Sequence, residues 1–294
     1  MNETPKNEFE RLEDPDGSFD DWEKDLDDGV PDFTPDDTVE LPVGLRKDGQ
    51  VFRTVVIDEL SGVDDHLVAS NKSGGNGAKA MSMVLCRAVQ EVPGLLRMKK
   101  DSEKLFNREF ARALTEIDRV FLITRIFMLS GRNESAFVGR CRHCKKVHNE
   151  RVFLSQLEVK SWPDDKPPQV EFHLKKGFKE KTESGETVFH KDGVLRFPLG
   201  KESELLGKME NEAEATDSLL AACITNVGNY GRVDTSMVKA LKRQDREELM
   251  FSLSESLPGI KQGKWITCDC GMEMELRLDL VSFFEGRRRS AKRL

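Results

Sequence analysis

The sequence predicts an α+β fold of two pseudo-repeated halves, each a strand, one or two helices and a cysteine-bearing β-hairpin. The halves are joined by a shared zinc-ribbon-like site and preceded by a disordered acidic N-terminal tail. Three observations predict this. Ala113, Leu114, Asp118, Arg119 and Cys141 recur as Ala240, Leu241, Asp245, Arg246 and Cys268, each pair 127 positions apart. Such self-similarity fixes an architecture before any single element is assigned. Hydrophobic spacing alternates between periods of 3.6 and 2 within each copy. Finally, residues 1–38 hold fifteen Asp/Glu against three Lys/Arg, with Pro5, Pro15, Pro31 and Pro35 among them.

The tail, residues 1–38, has only scattered apolar side chains (Phe9, Leu12, Phe19, Trp22, Leu26, Phe33), too few to offset the entropy of ordering. Its rings among carboxylates suit either a solvating arm or a partner-binding one. Residues 39–160 form the first repeat. Gln50 to Ile57 is rich in β-branched residues behind an Asp-Gly turn and reads as a strand. A Ser73 to Gly77 loop leads to a helix capped by Asn76, with Met81, Val84, Leu85 and Ala88 on one face and Pro93-Gly94 at its end. Phe106, Phe110, Ala113, Leu114, Ile117 and Phe121 carry a second, long helix to Leu129, stopped by Gly131.

The second repeat, residues 161–285, begins with a Pro- and Asp-rich turn from Trp162 to Pro168. Val170, Phe172 and Leu174 alternate as a strand, and Thr182 to Glu186 reads as a hairpin tip. Lys191-Asp192-Gly193 repeats Lys47-Asp48-Gly49 at an offset of 144, which suggests equivalent turns. Leu219, Leu220 and Ile224 mark one helix; Val238, Leu241, Leu249 and Leu253 mark another. The clearest strand runs from Met272 through Met274, Leu276 and Leu278 to Leu280, apolar at every second position. Residues 286–294 form a basic C-terminal tail with five Lys/Arg, which leaves 39–285 electrically neutral.

The chemistry lies in the cysteines. Cys141-x-x-Cys144 and Cys268-x-Cys270-Gly271 occupy equivalent places in the two copies, each between short β-like stretches. Four thiolates from two tight turns satisfy a tetrahedral structural zinc site and leave no open position for catalysis. Unliganded thiols and a disulfide or redox pair are the alternatives; no thioredoxin-like pattern surrounds the Cys-x-x-Cys. His143 and His148 lie close enough in sequence to replace a cysteine and are placed outside the ligand set. Cys86 and Cys223 fall in apolar helical stretches and read as buried small hydrophobes.

No catalytic constellation emerges. Gly74, Gly75 and Gly77 with Lys79 lack the Gly-Lys-Ser/Thr order of a phosphate loop, and His66 beside Asp64 and Asp65 has no paired nucleophile. The Asp-Arg pairs read as mid-helix salt bridges or partner contacts. Six cysteines in 294 residues do not make a secreted disulfide scaffold, and Met1 to Glu10 has no signal-peptide pattern. The longest apolar run, Val120 to Leu129, contains Arg125 and is half of the roughly 20 residues a bilayer span needs. A cytoplasmic protein that spans no membrane is expected.

The order of motifs resembles the phage tail and baseplate assembly proteins typified by the T-even phage baseplate-hub assembly protein. The residues that carry the resemblance are Leu41-Pro42-x-Gly44, Val55 to Leu60, Asp118-Arg119-Val120-Phe121-Leu122 and Cys141-x-x-Cys144. They continue with Asp245-Arg246, Cys268-x-Cys270-Gly271, Leu278-Asp279-Leu280 and Phe283-Phe284, covering about residues 39–285. The resemblance implies a non-enzymatic assembly factor, chaperone or adaptor for a contractile injection particle. Tail or baseplate hub proteins would be its partners, in the host cytoplasm or in the virion baseplate. The Cys-x-Cys departs from the paired Cys-x-x-Cys of that pattern. The alternative is a zinc-ribbon nucleic-acid-binding regulator, which the neutral body disfavours.

Overall fold

The computed structural model describes residues 36–62, 77–95, 107–209, 211–255 and 257–279. The acidic tail up to residue 35, the basic tail, Asn76, Phe106, His66, Leu280 and Phe283-Phe284 lie outside the described residues, as do Gly74 and Gly75. The chain is α+β.

The first half opens with the hairpin of β1 (Thr38–Lys47) and β2 (Gln50–Ile57), joined by a turn at Asp48-Gly49 where both residues have positive φ. Helix α1 (Gly77–Ala88) buries Met81, Val84, Leu85 and Ala88 and passes directly into β3 (Val89–Glu91), which completes a β1-β2-β3 sheet. Helices α2 (Arg108–Ala113) and α3 (Glu116–Leu129) come next, then the hairpin β4 (Glu134–Arg140) and β5 (Val147–Phe153). After the short β6 (Val159–Lys160), the second half repeats the order. It has β7 (Gln169–Lys181), β8 (Thr187–Arg196), α4 (Gly200–Leu206), α5 (Glu212–Cys223), β9 (Ile224–Val227), α6 (Thr235–Ala240) and α7 (Arg243–Glu255). Last come β10 (Gly259–Ile260), β11 (Gly263–Thr267) and β12 (Glu273–Leu278).

The halves agree down to single residues. Sheet β7-β8-β9 has the same antiparallel order as β1-β2-β3, and in each the pairing to the third strand slips between the last two paired residues: Val56/Ile57 and Val194/Leu195. Strands β1 and β7 each carry a bulge with a glycine at φ +84°, Gly44 and Gly177. A buried carboxylate of the following long helix closes each bulge, because bulged amides have no partner within the ladder. Asp118 accepts from the amides of Val43 (2.8 Å) and Gly44 (3.2 Å), and Asp245 from those of Lys175 (2.9 Å) and Gly177 (3.0 Å). The salt-bridge reading holds for the arginines, though with partners other than the adjacent aspartates. Arg119 pairs with Glu116 one turn earlier in α3 (3.1 Å) and also reaches α1, donating to Ala78 O (2.6 Å) and Ser82 Oγ (2.9 Å); Arg246 pairs with Asp217, at the same position of α5 as Ser82 in α1.

Four expectations are corrected. The long helices break: Leu114 and Leu241 turn to extended backbone (ψ 145° and 150°), so α2/α3 and α6/α7 are separate. Asn107 and Asp234 cap α2 and α6, and the Thr115 hydroxyl caps α3, satisfying amides that a helix start leaves open. Ile224 begins β9 rather than continuing a helix, and Met272 precedes β12 and is exposed. Lys191-Asp192-Gly193 lies inside β8, whereas Asp48-Gly49 is a hairpin turn. The 144-residue match therefore pairs inequivalent positions; Thr182 to Glu186 is the true counterpart, the turn between β7 and β8.

Strand β10 pairs with β6 and lies against α3, where Gly259 (φ +95°) faces Ile117 so closely that a Cβ would sit 2.5 Å from Ile117 Cγ2. From α4, Glu204 accepts from Ser82 Oγ (2.6 Å) and pairs with Arg108 (2.6 Å). The Trp162 to Pro168 turn is held against the first hairpin: the Trp162 amide donates to Pro42 O (2.7 Å) and Arg53 donates to Trp162 O. Elements of the second half thus enclose the first. Among the described residues no helix is long and apolar enough to cross a membrane.

Candidate metal centre

The β4-β5 and β11-β12 hairpins merge into one four-stranded antiparallel sheet, ordered β11-β12-β4-β5, through the pairing of β12 with β4. Its inner face buries Phe137, Met274, Leu276 and Leu278. Gly139 is required there, since a Cβ would meet Leu276 Cδ2 at 2.8 Å. This pairing sets the tips of the two hairpins side by side.

Each tip is a knuckle. The Cys141 amide donates to Lys146 O and the Cys268 amide to Met272 O, both at 2.8 Å. The residue after the second cysteine is left-handed in each, Lys145 (φ 63°) and Gly271 (φ 82°). The knuckles are thus the same turn, one residue shorter between the cysteines in the second. Gly271 takes the left-handed conformation without the side-chain cost that Lys145 bears.

The four sulfurs converge. All lie within 4.8 Å of one another, with Cys141 Sγ 3.6 Å from Cys270 Sγ and Cys144 Sγ 3.5 Å from Cys268 Sγ. A tetrahedral ion with bonds of about 2.3 Å holds its sulfurs about 3.8 Å apart, so the set fits a thiolate-bound metal with little adjustment. Cys141 and Cys268 are buried, Cys144 and Cys270 exposed, and all four are free thiols. The cluster can hold a metal ion. Lys146 and Asp269 form an ion pair from knuckle to knuckle beside it.

The thiols differ electrostatically. The backbone amide of Cys144, helped by that of His143, lowers Cys141 to about 6. At Cys268 the Cys270 amide acts in the same direction, but burial and the neighbouring sulfurs prevail and raise it to about 12. A bound cation reverses that penalty, because it favours the deprotonated sulfur. Arg140, Arg142, Lys145 and Lys146 line the first knuckle, Asp269 and Glu273 the second. Four thiolates around a divalent ion carry a net charge of −2, which the cationic turn offsets.

All four cysteines predicted as ligands are brought together. His143 is exposed and sits on the knuckle turn. His148 does enter the centre: its Nε2 lies 3.1 Å from Cys268 Sγ, a contact for which the sequence offered no signal beyond proximity. Cys223 is fully buried, its thiol pushed up to about 12 by that burial, while Cys86 is only partly buried. Gly77 and Lys79 open α1. No family model, curated protein or solved structure matches the chain.

Proposed function

We propose that the chain is a non-enzymatic assembly factor or adaptor whose cysteine centre is a structural zinc site joining its two halves. The observation that carries this reading is the convergence of four thiols from two knuckles, one from each half. An all-sulfur tetrahedral set suits zinc, which has no geometric demand of its own and prefers such donors in structural sites. The ion closes a loop of more than a hundred residues, so its binding free energy becomes folding free energy.

The partners proposed are tail or baseplate hub proteins of a phage, and the place of action the host cytoplasm or the assembled baseplate; both rest on the motif order from Leu41 to Phe284. Co-purification from cells making such a particle, with mass spectrometry of the retained proteins, tests it. Recovery of hub or tail proteins is expected; consistent recovery without them overturns it.

A second reading, a zinc-ribbon protein that binds nucleic acid, is favoured by one observation. Arg140, Arg142 and Lys145 are exposed, and Trp265 on the same sheet is 71% exposed, a combination suited to phosphates and stacked bases. Against it stand the neutral body and the need of a four-thiolate centre for nearby cations. A binding isotherm that weakens steeply with salt would favour this reading over the first.

A further inference from the structure

The two knuckles differ by one residue, and the deletion has an electrostatic consequence. The longer knuckle has Arg142 and His143 between its cysteines and the shorter one only Asp269, so the turn around Cys268 offers one backbone amide fewer. Cys268 Sγ is nevertheless buried, and a buried sulfur anion short of donors is costly. The space beside it is occupied by His148, with Nε2 at 3.1 Å. His148 stands on β5, opposite Gly139. The second half has no such donor: counting from the equivalent hydrogen bonds of Lys146 and Met272, the position matching His148 is Met274, an apolar side chain of the buried face.

We propose that His148 is a positioning residue of the metal centre, donating from Nε2 to the Cys268 thiolate and replacing the amide that the shortened knuckle lacks. This inference rests on the reading of the cysteines as a metal site. It makes the centre dependent on one side chain outside its ligands. His148 is not itself a ligand: the four sulfurs already form a mutually close set, and the histidine nitrogen approaches one of them rather than their centre. Donors of this kind orient and tune metal ligands, and their loss weakens metal binding by roughly 10–100-fold.

The test compares the full chain with His148→Met, which gives β5 the side chain found at the matching place in β12, and His148→Gln, which keeps an N–H donor. Zinc affinity is read by competition with a chromophoric chelator, and the sulfur-to-metal absorption band after loading with Co²⁺ alone. His148→Met is expected to bind zinc at least roughly tenfold more weakly, with the band moved to longer wavelength, while X-ray absorption still counts four sulfurs. His148→Gln is expected to restore most of the affinity and the band position.

Wild-type affinity and spectrum in His148→Met overturn the proposal, as does a His148→Gln variant that loses as much as the Met variant. A nitrogen ligand with three sulfurs in the wild-type chain overturns it in favour of direct ligation. If His148→Met does not fold, the Gln variant and the wild-type ligand count still decide. Failure of the wild-type chain to bind zinc or Co²⁺ at all is a separate result, which removes the metal reading beneath it.

Discussion

Helices α3 and α7 begin from one plan and end in opposite environments. Both bury the stripe that faces their sheet, Asp118, Leu122 and Ile126 in α3 and Asp245, Leu249 and Leu253 in α7. The remaining faces diverge. In α3, Val120, Phe121, Ile123, Thr124 and Phe127 are buried as well; the matching residues of α7 are Glu247, Glu248, Met250, Phe251 and Ser254, all exposed. Segments of the second half lie against α3: Gly259 of β10 meets Ile117, and Gly200 at the start of α4 meets Arg119. A repeated unit therefore acquires a different surface according to the segments that come after it, and the first half depends on the second for its core.

The largest expected effects separate these two helices. Ile126→Ala removes a fully buried side chain and should cost about 4 kcal/mol, within the range for such core truncations. Chemical denaturation of the full chain measures it, and a loss below about 1 kcal/mol would show that α3 is not enclosed.

Next comes the pH response of the bulge clasp. Burial raises Asp118 from 3.8 to about 6, against the opposing pull of the Val43 amide, the Thr115 hydroxyl and the Gly44 amide. Between these values the folded chain binds a proton that the unfolded chain does not. The stabilising contribution of this group is therefore complete below pH 4 and is lost as pH rises through 6. Over that window it amounts to about 3 kcal/mol. Asp118→Asn abolishes the dependence, so the variant should lose stability on acidification from pH 7 to 4 more steeply than the wild type. Parallel pH profiles would contradict the account.

A smaller effect is expected where the second half covers the first. Gly259→Ala combines a left-handed backbone with an overlap on Ile117 and should cost about 2 kcal/mol. Gly271→Ala, left-handed but in open space, should cost about 1 kcal/mol. Equal losses would mean that β10 does not press on α3. The smallest effect belongs to Phe251→Ala, at a side chain 55% exposed, where a change within about 0.5 kcal/mol is expected by thermal or chemical unfolding.

The repeat and the cysteine cluster were legible in the sequence because the 127-residue offset carries helix and knuckle together, so Cys268 could be matched to Cys141 without knowing the fold. The buried face of β12 was legible for a similar reason: a period of two survives in any environment. The helix breaks were not. Leu114 and Leu241 keep the helical hydrophobic period while their backbones turn extended, and only the capping residues beside them, Thr115 above all, announce the new start. The roles of Asp118 and Asp245 were hidden because their partners, the amides of Val43 and Gly177, lie roughly seventy positions away; a glycine inside a strand is the local signal of such a bulge. His148 stood out only as a possible substitute for a cysteine; its contact with Cys268 Sγ spans 120 residues and had no local signal.

The claim that the halves are tied through one shared metal is tested most directly by elemental analysis of the purified full chain beside a Cys268→Ser, Cys270→Ser double variant. The account predicts about one zinc per wild-type chain and none in the variant, with both halves less protected from hydrogen exchange when the metal is lost. Retention of the zinc by the double variant would contradict it, because the first knuckle would then hold the ion without the second.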